Sequence, residues 1–217
     1  MDSFNKKVCG ICGEKVGILN KRKLKDVNIC KKCADLISPF FVTDQRKTTL
    51  AEVKEHLTYR ELNKTKVATF NVTRTLGDVI KVLIDENTNK FIITSSIRWQ
   101  SENPDVINFS QVTGCQTYIK KYTAENEGTY YNFHVKIHSN SRWLNKIEFK
   151  INKNGKRKNS AEYLECERQI NEIKQIFINI QQANAPKSPL TCPVCGAFTT
   201  PDANDCCEYC GKPIKIN

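Results

Sequence analysis

The spacing of hydrophobic residues divides the chain into helical and extended regions. The first regular pattern, over residues 50–63, predicts a helix. Thr49 followed three residues later by Glu52 is the sequence of a capping box, which marks a helix start. Apolar residues then recur at steps of three and four on one predicted face: Leu50, Val53, Leu57 and Leu62.

From residue 67 the hydrophobic period becomes two, which is typical of half-buried strands. Turn sequences such as Glu86-Asn87-Thr88-Asn89 separate the extended segments. The predicted strands cover residues 79–85, 90–96, 106–112, 115–123, 129–139 and 145–152. Six or more antiparallel strands need a cover or a closed arrangement, because open sheet edges pair with other chains.

A second helical pattern follows the strands and supplies that cover. Asn159 with Glu162 three residues later predicts its start, and one apolar stripe continues for about five turns. The segment around Pro186 and Pro189 predicts a short linker after this helix. The apolar stripe is formed by Tyr163, Cys166, Ile170, Ile173, Phe177 and Ile180.

Eight of the 11 cysteines occur in CxxC pairs. The first quartet has the spacing C-x₂-C-x₁₇-C-x₂-C, which is typical of a tetrahedral zinc site. Iron and redox-active thiols are the alternatives, and the absence of a βαβ pattern disfavours a redox motif. A predicted hairpin between the pairs and a short helix after them give the order of a treble-clef finger. The ligands are Cys9, Cys12, Cys30 and Cys33.

The second quartet, CPVCG with CEYCG, resembles the zinc-ribbon family over residues 190–214. Its predicted ligands are Cys192, Cys195, Cys207 and Cys210. Cys206 is an alternative to Cys207, although Cys207 preserves the two-residue interval of the knuckle. Two structural Zn²⁺ ions are therefore the predicted cofactors.

These patterns predict an α+β fold with an antiparallel β-rich core, a long C-terminal helix and two small flanking zinc modules. The predicted domains are a zinc finger at 1–40, a helix plus β domain at 48–184, and a zinc ribbon at 190–217. Cys115 and Cys166, outside the quartets, are interpreted as packing residues.

The whole chain resembles a family of uncharacterised, mainly Gram-positive bacterial proteins. The resemblance rests on CGICGEKVGIL, KLKD, CKKCADLISPF, TYRE at 58–61, NPDVINFSQVTGCQ at 103–116, and the CPVCG and CEYCG knuckles. It implies a treble-clef finger, a PH-like middle domain with a seven-stranded barrel closed by a helix, and a terminal ribbon. No activity follows from it.

The chain carries a formal net charge of +11. Eight zinc-bound thiolates and two divalent ions would lower this value to about +7. The excess lies before the ribbon, in two clusters that could contact phosphates or simply be solvated turns. Neither cluster has aromatic residues interleaved with it in the sequence. The candidate binding residues are Lys21, Arg22, Lys23 and Lys25, followed by Lys156, Arg157 and Lys158.

No nucleotide-binding, dinucleotide or metalloprotease motif occurs in the sequence, and no paired nucleophile and base is evident. We therefore expect a non-enzymatic zinc-binding adaptor with a protein partner. Nucleic-acid binding through the two basic clusters is the alternative. The sequence favours no small-molecule substrate and no membrane partner, because the turn at 85–89 is acidic and apolar runs are short. The N-terminal sequence lacks a secretory pattern, so we expect a cytoplasmic protein.

Overall fold

A computed structural model describes residues 8–41, 46–77, 79–124, 128–184, 189–201 and 206–214. The chain forms two compact units, residues 1–181 and residues 182–217. The first unit contains the finger and the β-rich core, and the second contains the ribbon. Together they give a mixed α+β protein with antiparallel sheets, as predicted.

The finger is a short hairpin followed by one helical turn. Strands β1 (Lys21–Lys23) and β2 (Asn28–Cys30) pair antiparallel, and α1 (Lys31–Ala34) follows directly. The side chain of Cys30 caps α1 by accepting the backbone N–H of Cys33. The second cysteine pair therefore lies at the start of a helix, because β2 ends at Cys30 and α1 begins at the next residue.

Helix α2 (Leu50–Ala68) begins with the predicted capping box between Thr49 and Glu52. It continues five residues beyond the predicted end at 63, and Leu62 is 65% exposed rather than part of the buried stripe. Its buried residues are mostly polar, because they contact the finger and a distant loop: Val53, His56, Arg60, Asn63 and Val67.

Seven of the described strands form the two antiparallel sheets of the β-rich core. The four-stranded sheet contains β3 (Arg74–Leu76), β4 (Lys81–Asp85), β5 (Lys90–Thr94) and β6 (Ile107–Asn108), with α3 (Trp99–Glu102) before β6. The three-stranded sheet contains β7 (Val112–Ala124), β8 (Gly128–Ser139) and β9 (Lys146–Lys150). The sequence pattern missed β3, which has only three residues.

The strand pairs of the β-rich core form two separate sheets, and a closed barrel is not among the described pairings. One apolar cluster nevertheless contains residues from both sheets and from the last helix of the core. In β8 it buries the alternate residues Phe133, Val135 and Ile137, as the period of two predicted. Residues 125–127 of the predicted turn before β8 lie outside the described residues.

Helix α4 (Ala161–Asn184) packs its predicted apolar stripe into this core. Phe177 is fully buried and contacts the rings of Phe91 and Phe109 at centroid distances of 5.1 and 5.3 Å. The predicted start at Asn159 is wrong by one residue. Ser160 accepts the N–H of Tyr163, whereas Asn159 has a positive φ of 63°.

The second unit contains the antiparallel pair β10 (Leu190–Thr191) and β11 (Phe198–Thr199). Its small core is formed by Cys192, Cys207 and Ile214, with Leu190 and Cys210 packed against them. Of the predicted linker, Pro186 lies outside the described residues. None of the described helices is both long and apolar enough to cross a bilayer.

Candidate metal centres and binding surfaces

The four cysteine sulfurs of the finger converge on one point. Cys9 and Cys12 come from the first knuckle, while Cys30 and Cys33 come from the end of β2 and from α1. All four Sγ atoms lie within 4.8 Å of one another, and only Cys12 is exposed. Backbone N–H groups of Cys30 and Cys33 donate to the sulfurs of Cys9 and Cys30 at 3.3 and 3.4 Å.

The ribbon contains an equivalent cluster formed by Cys192, Cys195, Cys207 and Cys210. Individual sulfur–sulfur distances in the two clusters are 3.7 to 3.8 Å. A tetrahedral zinc ion with Zn–S bonds of about 2.3 Å requires sulfurs about 3.8 Å apart. Both clusters therefore suit a structural zinc ion, because four thiolates leave no coordination position open.

Three of the four CxxC pairs share one backbone pattern. In the knuckles starting at Cys9, Cys192 and Cys207, the first cysteine donates its N–H to a carbonyl five residues later. The glycine that follows each second cysteine donates back to the first cysteine carbonyl. These glycines have φ values of 67–75°, which side chains with a Cβ rarely adopt: Gly13, Gly196 and Gly211.

This pattern also decides between Cys206 and Cys207. Cys207 lies in the sulfur cluster and begins the third knuckle, with its N–H donating to the carbonyl of Lys212 at 2.9 Å. Cys206 instead pairs with Pro213 in an isolated β-bridge. The structure therefore places Cys207 in the tetrahedron and Cys206 beside it.

Each cluster contains one thiol that ionises readily. Burial would raise the pKa of Cys9, but backbone N–H groups of Cys12 and Cys30 lower it to about 6. The backbone N–H of Cys195 lowers the pKa of Cys192 to about 7. Burial and the neighbouring thiols raise the pKa of Cys33. A bound divalent ion overrides these opposite shifts in pKa, because it favours the thiolate form of all four ligands.

The finger packs directly on helix α2. Val53 belongs to the same apolar cluster as the finger residues Leu24 and Ile29, and Leu57 packs against it. A Cβ on Gly10 would meet Val27 at 2.9 Å and Leu50 at 3.2 Å. The first metal centre is thus supported by the start of α2.

A buried polar cluster connects the finger, α2 and the loop before β6. Arg60 donates to Asp105 at 2.9 Å and to the carbonyl of Leu36 at 3.3 Å. Ser38 also donates to Asp105, and the side chains of Arg60 and Asp105 are only 10% and 2% exposed. Asn63 accepts the N–H of Val106 at 3.0 Å. Two sequence segments of the resemblance, TYRE and NPDV, therefore contact each other.

His56 is enclosed on the same face of α2. Its Nε2 accepts the backbone N–H of Ser38 at 3.1 Å, which places the proton of the neutral ring on Nδ1. Nδ1 has no hydrogen-bond partner among the described residues. The rings of Phe41, Tyr59 and Trp143 surround it at centroid distances of 4.4 to 5.6 Å.

A cavity of about 420 Å³ lies beside the Arg60–Asp105 pair. Thr94, Glu102 and Glu148 contribute further polar groups to its lining. Because the guanidinium and the carboxylate of the pair already bond to each other, the cavity offers no free ion pair to a ligand.

The residues of the two predicted basic clusters do not all lie on one face in the structure. Lys21, Arg22 and Lys23 are all exposed on β1. In the second cluster, Lys156 pairs with Tyr131 through two backbone hydrogen bonds, so the segment continues the sheet beside β8. Side chains alternate along an extended segment, and therefore Arg157 lies on the opposite face from Lys156. Lys156 lines a separate cavity with Glu162, and Lys158 is exposed.

Sequence reasoning missed the aromatic residues beside this second cluster. The guanidinium of Arg157 lies 5.7 Å from the ring centroid of Tyr130, which stacks with Tyr122 across the β7–β8 pair. Tyr118 stacks with His134 in the same way at 5.0 Å. No aromatic residue is interleaved with the basic loop in the sequence, but strand register places Tyr130 next to Arg157 in space.

Comparison with known proteins gives one match. Residues 7–56 are similar to a domain family described as a domain of unknown function, DUF4428. The match contains the first cysteine cluster and the start of α2 that packs against it. No curated protein and no solved structure matches the chain.

Proposed function

We propose that this protein is a non-enzymatic, zinc-dependent adaptor that binds a protein partner through its metal-held modules. The observation that carries the proposal is the exposure of large apolar side chains on the ribbon. Val194, Phe198 and Tyr209 are 61%, 70% and 71% exposed. Val194 and Tyr209 occupy the same position in their knuckles, directly before the second cysteine.

These side chains are not needed for the ribbon's own core, which is formed by cysteines, Leu190 and Ile214. Aromatic residues are enriched at protein interfaces, where their burial contributes much of the binding energy. The low charge of the ribbon also favours a protein partner. The described ribbon residues include one lysine, Lys212, and one glutamate, Glu208, so the module offers little attraction to phosphates.

The finger presents a similar apolar surface. Ile18 and Leu19, in the segment before β1, are almost fully exposed. They lie between the two cysteine pairs of the finger. We propose that both terminal modules are contact surfaces.

The non-enzymatic part of the proposal is supported by the surroundings of the reactive residues. His56 is enclosed by aromatic rings, and its Nε2 is bonded to backbone. Cys166 belongs to the apolar core, and Cys115 packs against it. Burial also raises the pKa of Cys115 to about 11, which disfavours the nucleophilic thiolate.

The finer fold assignments belong to the same proposal. Seven strands, β3 to β9, precede α4 in the order that a PH-like domain requires. Knuckle, hairpin and helix follow the order of a treble clef in the finger. We therefore propose a bacterial, cytoplasmic protein with a treble-clef finger, a PH-like middle domain and a zinc ribbon.

The test is affinity capture with the full zinc-loaded chain and with the double variant Phe198→Ser/Tyr209→Ser. We expect the native chain to retain a specific protein partner after nuclease treatment, and the double variant to lose it. Leu62→Ser is the matched control, because it removes an exposed apolar side chain from α2 instead of the ribbon.

Equal zinc content in the three proteins establishes that the modules remain folded. Capture of the same partner by the Phe198→Ser/Tyr209→Ser chain would contradict the proposal. Loss of the partner after nuclease treatment would also contradict it, since the contact would then run through nucleic acid.

A second candidate function is nucleic-acid binding, favoured by the three exposed cationic side chains of β1. Binding by this route should weaken steeply as salt rises, because phosphate contacts release counterions.

A further inference from the structure

The solvent-facing side of the β7–β8–β9 sheet carries rings and positive charges together. We call it the outer sheet face, and it includes Tyr118, Lys120, Tyr122, Tyr130, Lys136, Lys146, Glu148, Lys150 and Arg157. Register places these residues on the side opposite the core. Tyr118 faces His134, and Tyr122 faces Tyr130, while Phe133 and Val135 on either side of His134 point into the core.

Charge on this face is strongly one-sided. Among its described residues, Lys120, Lys136, Lys146, Lys150 and Arg157 are cationic, whereas Glu148 is the only carboxylate. Glu148 accepts a hydrogen bond from Tyr118 and forms an ion pair with Lys146 at 3.5 Å. Among the described residues of this face, positively charged side chains therefore outnumber carboxylates, which favours an anionic ligand.

The rings are held in place by cross-strand pairing. Tyr122 and Tyr130 stack at 5.7 Å with an interplanar angle of 23°, and Tyr122 is still 43% exposed. Lys120 lies 5.3 Å from the ring centroid of Tyr118, and Arg157 lies 5.7 Å from that of Tyr130. Each ring pair therefore has a cation beside it.

Gly155 brings the basic loop against the tyrosines. A Cβ at this position would lie 2.7 Å from Cβ of Tyr130 and 2.8 Å from Cε1 of Tyr122. Only a glycine allows the loop to pack this closely against the two tyrosines. Arg157 follows two residues later and thus lies beside the Tyr130 ring. The loop and the hairpin thus form one surface, although 27 residues separate Tyr130 from Arg157.

We propose that the outer sheet face, centred on Tyr122, Tyr130 and Arg157, binds single-stranded nucleic acid. Bases stack on exposed aromatic rings without regard to sequence, and adjacent lysines contact the phosphates. A protein partner fits less well, because the face combines excess positive charge with rings and few aliphatic side chains. The inference goes beyond the adaptor proposal and does not depend on the ribbon's partner.

The test measures binding of a fluorescein-labelled 15-nucleotide oligo(dT) to the full zinc-loaded chain by anisotropy. Tyr122→Leu and Tyr130→Leu should each weaken binding about 5- to 150-fold, the range for loss of one base–aromatic stack. Leucine retains a strand-compatible apolar side chain, and unchanged tryptophan fluorescence and circular dichroism confirm the fold of each variant.

Charge variants locate the site. Lys120→Gln/Lys150→Gln should weaken binding and reduce the salt slope by about 1 to 2. The matched variant Lys21→Gln/Lys23→Gln removes the same charge from the finger and should leave binding within a few-fold of the native chain. The opposite result would place the site on the finger and overturn the proposal.

Two competitors distinguish stacking from simple charge attraction. We expect unlabelled oligo(dT) to displace the probe at far lower phosphate concentration than inorganic polyphosphate or the corresponding duplex. Equal competition by polyphosphate or duplex would overturn the proposal, as would unchanged affinity in both tyrosine variants. None of these results depends on capture of the ribbon's partner, so the two proposals fail separately.

Discussion

At the scale of single residues, the cysteine ligands and the buried polar residues differ in how far sequence could predict them. The ligands are separated by two residues within each knuckle, so the local chain already specifies the chemistry. The Arg60–Asp105 pair joins residues 45 apart, and no local pattern encodes it. The same holds for His56, whose acceptor role depends on Ser38 of the finger.

His56 gives the protein a predictable dependence on pH. Burial, together with nearby Arg60, lowers the pKa of His56 to about 4 from the ordinary value of 6.5. The unfolded chain therefore takes up a proton below about pH 6.5, whereas the folded protein does not. Stability falls as pH decreases through this range, by about 1.4 kcal/mol between pH 7.5 and pH 5.5.

We expect the His56→Gln chain to lack this pH-dependent loss of stability, because glutamine does not titrate. The free energy of unfolding should be measured in denaturant at pH 7.5 and 5.5, followed by tryptophan fluorescence. Subtracting the variant's pH dependence from that of the native chain removes the effects of all other groups. Identical pH dependence in the two proteins would show that His56 is not held neutral.

At the scale of secondary structure, hydrophobic periodicity predicts which face of a helix or strand is buried in the core. It does not predict contacts between segments that are far apart in the sequence. The stripe of α4 and the alternation in β8 are confirmed, because a single face of each contacts the core. Helix α2 departs from its pattern, since its buried face includes Arg60 and Asn63. The rings beside Arg157 were missed because cross-strand register is not visible in a single segment.

The packing of α4 can be tested with two truncations on the same helix. Phe177 is fully buried against Phe91 and Phe109, so Phe177→Ala should destabilise the core by about 3–5 kcal/mol. Leu164 is largely exposed, and Leu164→Ala should change stability by less than about 0.5 kcal/mol. Chemical denaturation measures both values, and similar losses in the two variants would contradict the described orientation of α4.

At the scale of the whole molecule, the chain combines a β-rich core with modules too small to bury a core of their own. The ribbon's apolar cluster contains three buried residues, two of them cysteines. Zinc binding of about 10–16 kcal/mol at such sites is also free energy of folding. Metal binding thus keeps the ribbon folded although Phe198 and Tyr209 remain exposed and contribute little to its core.

Zinc content tests this account most directly. Native mass spectrometry of the purified chain should show two zinc ions, and one ion after Cys30→Ser/Cys33→Ser or after Cys207→Ser/Cys210→Ser. Cys206→Ser, the matched control beside the second site, should retain two. Fewer than two zinc ions in the native chain, iron in their place, or loss of one ion in the Cys206→Ser chain would contradict the account.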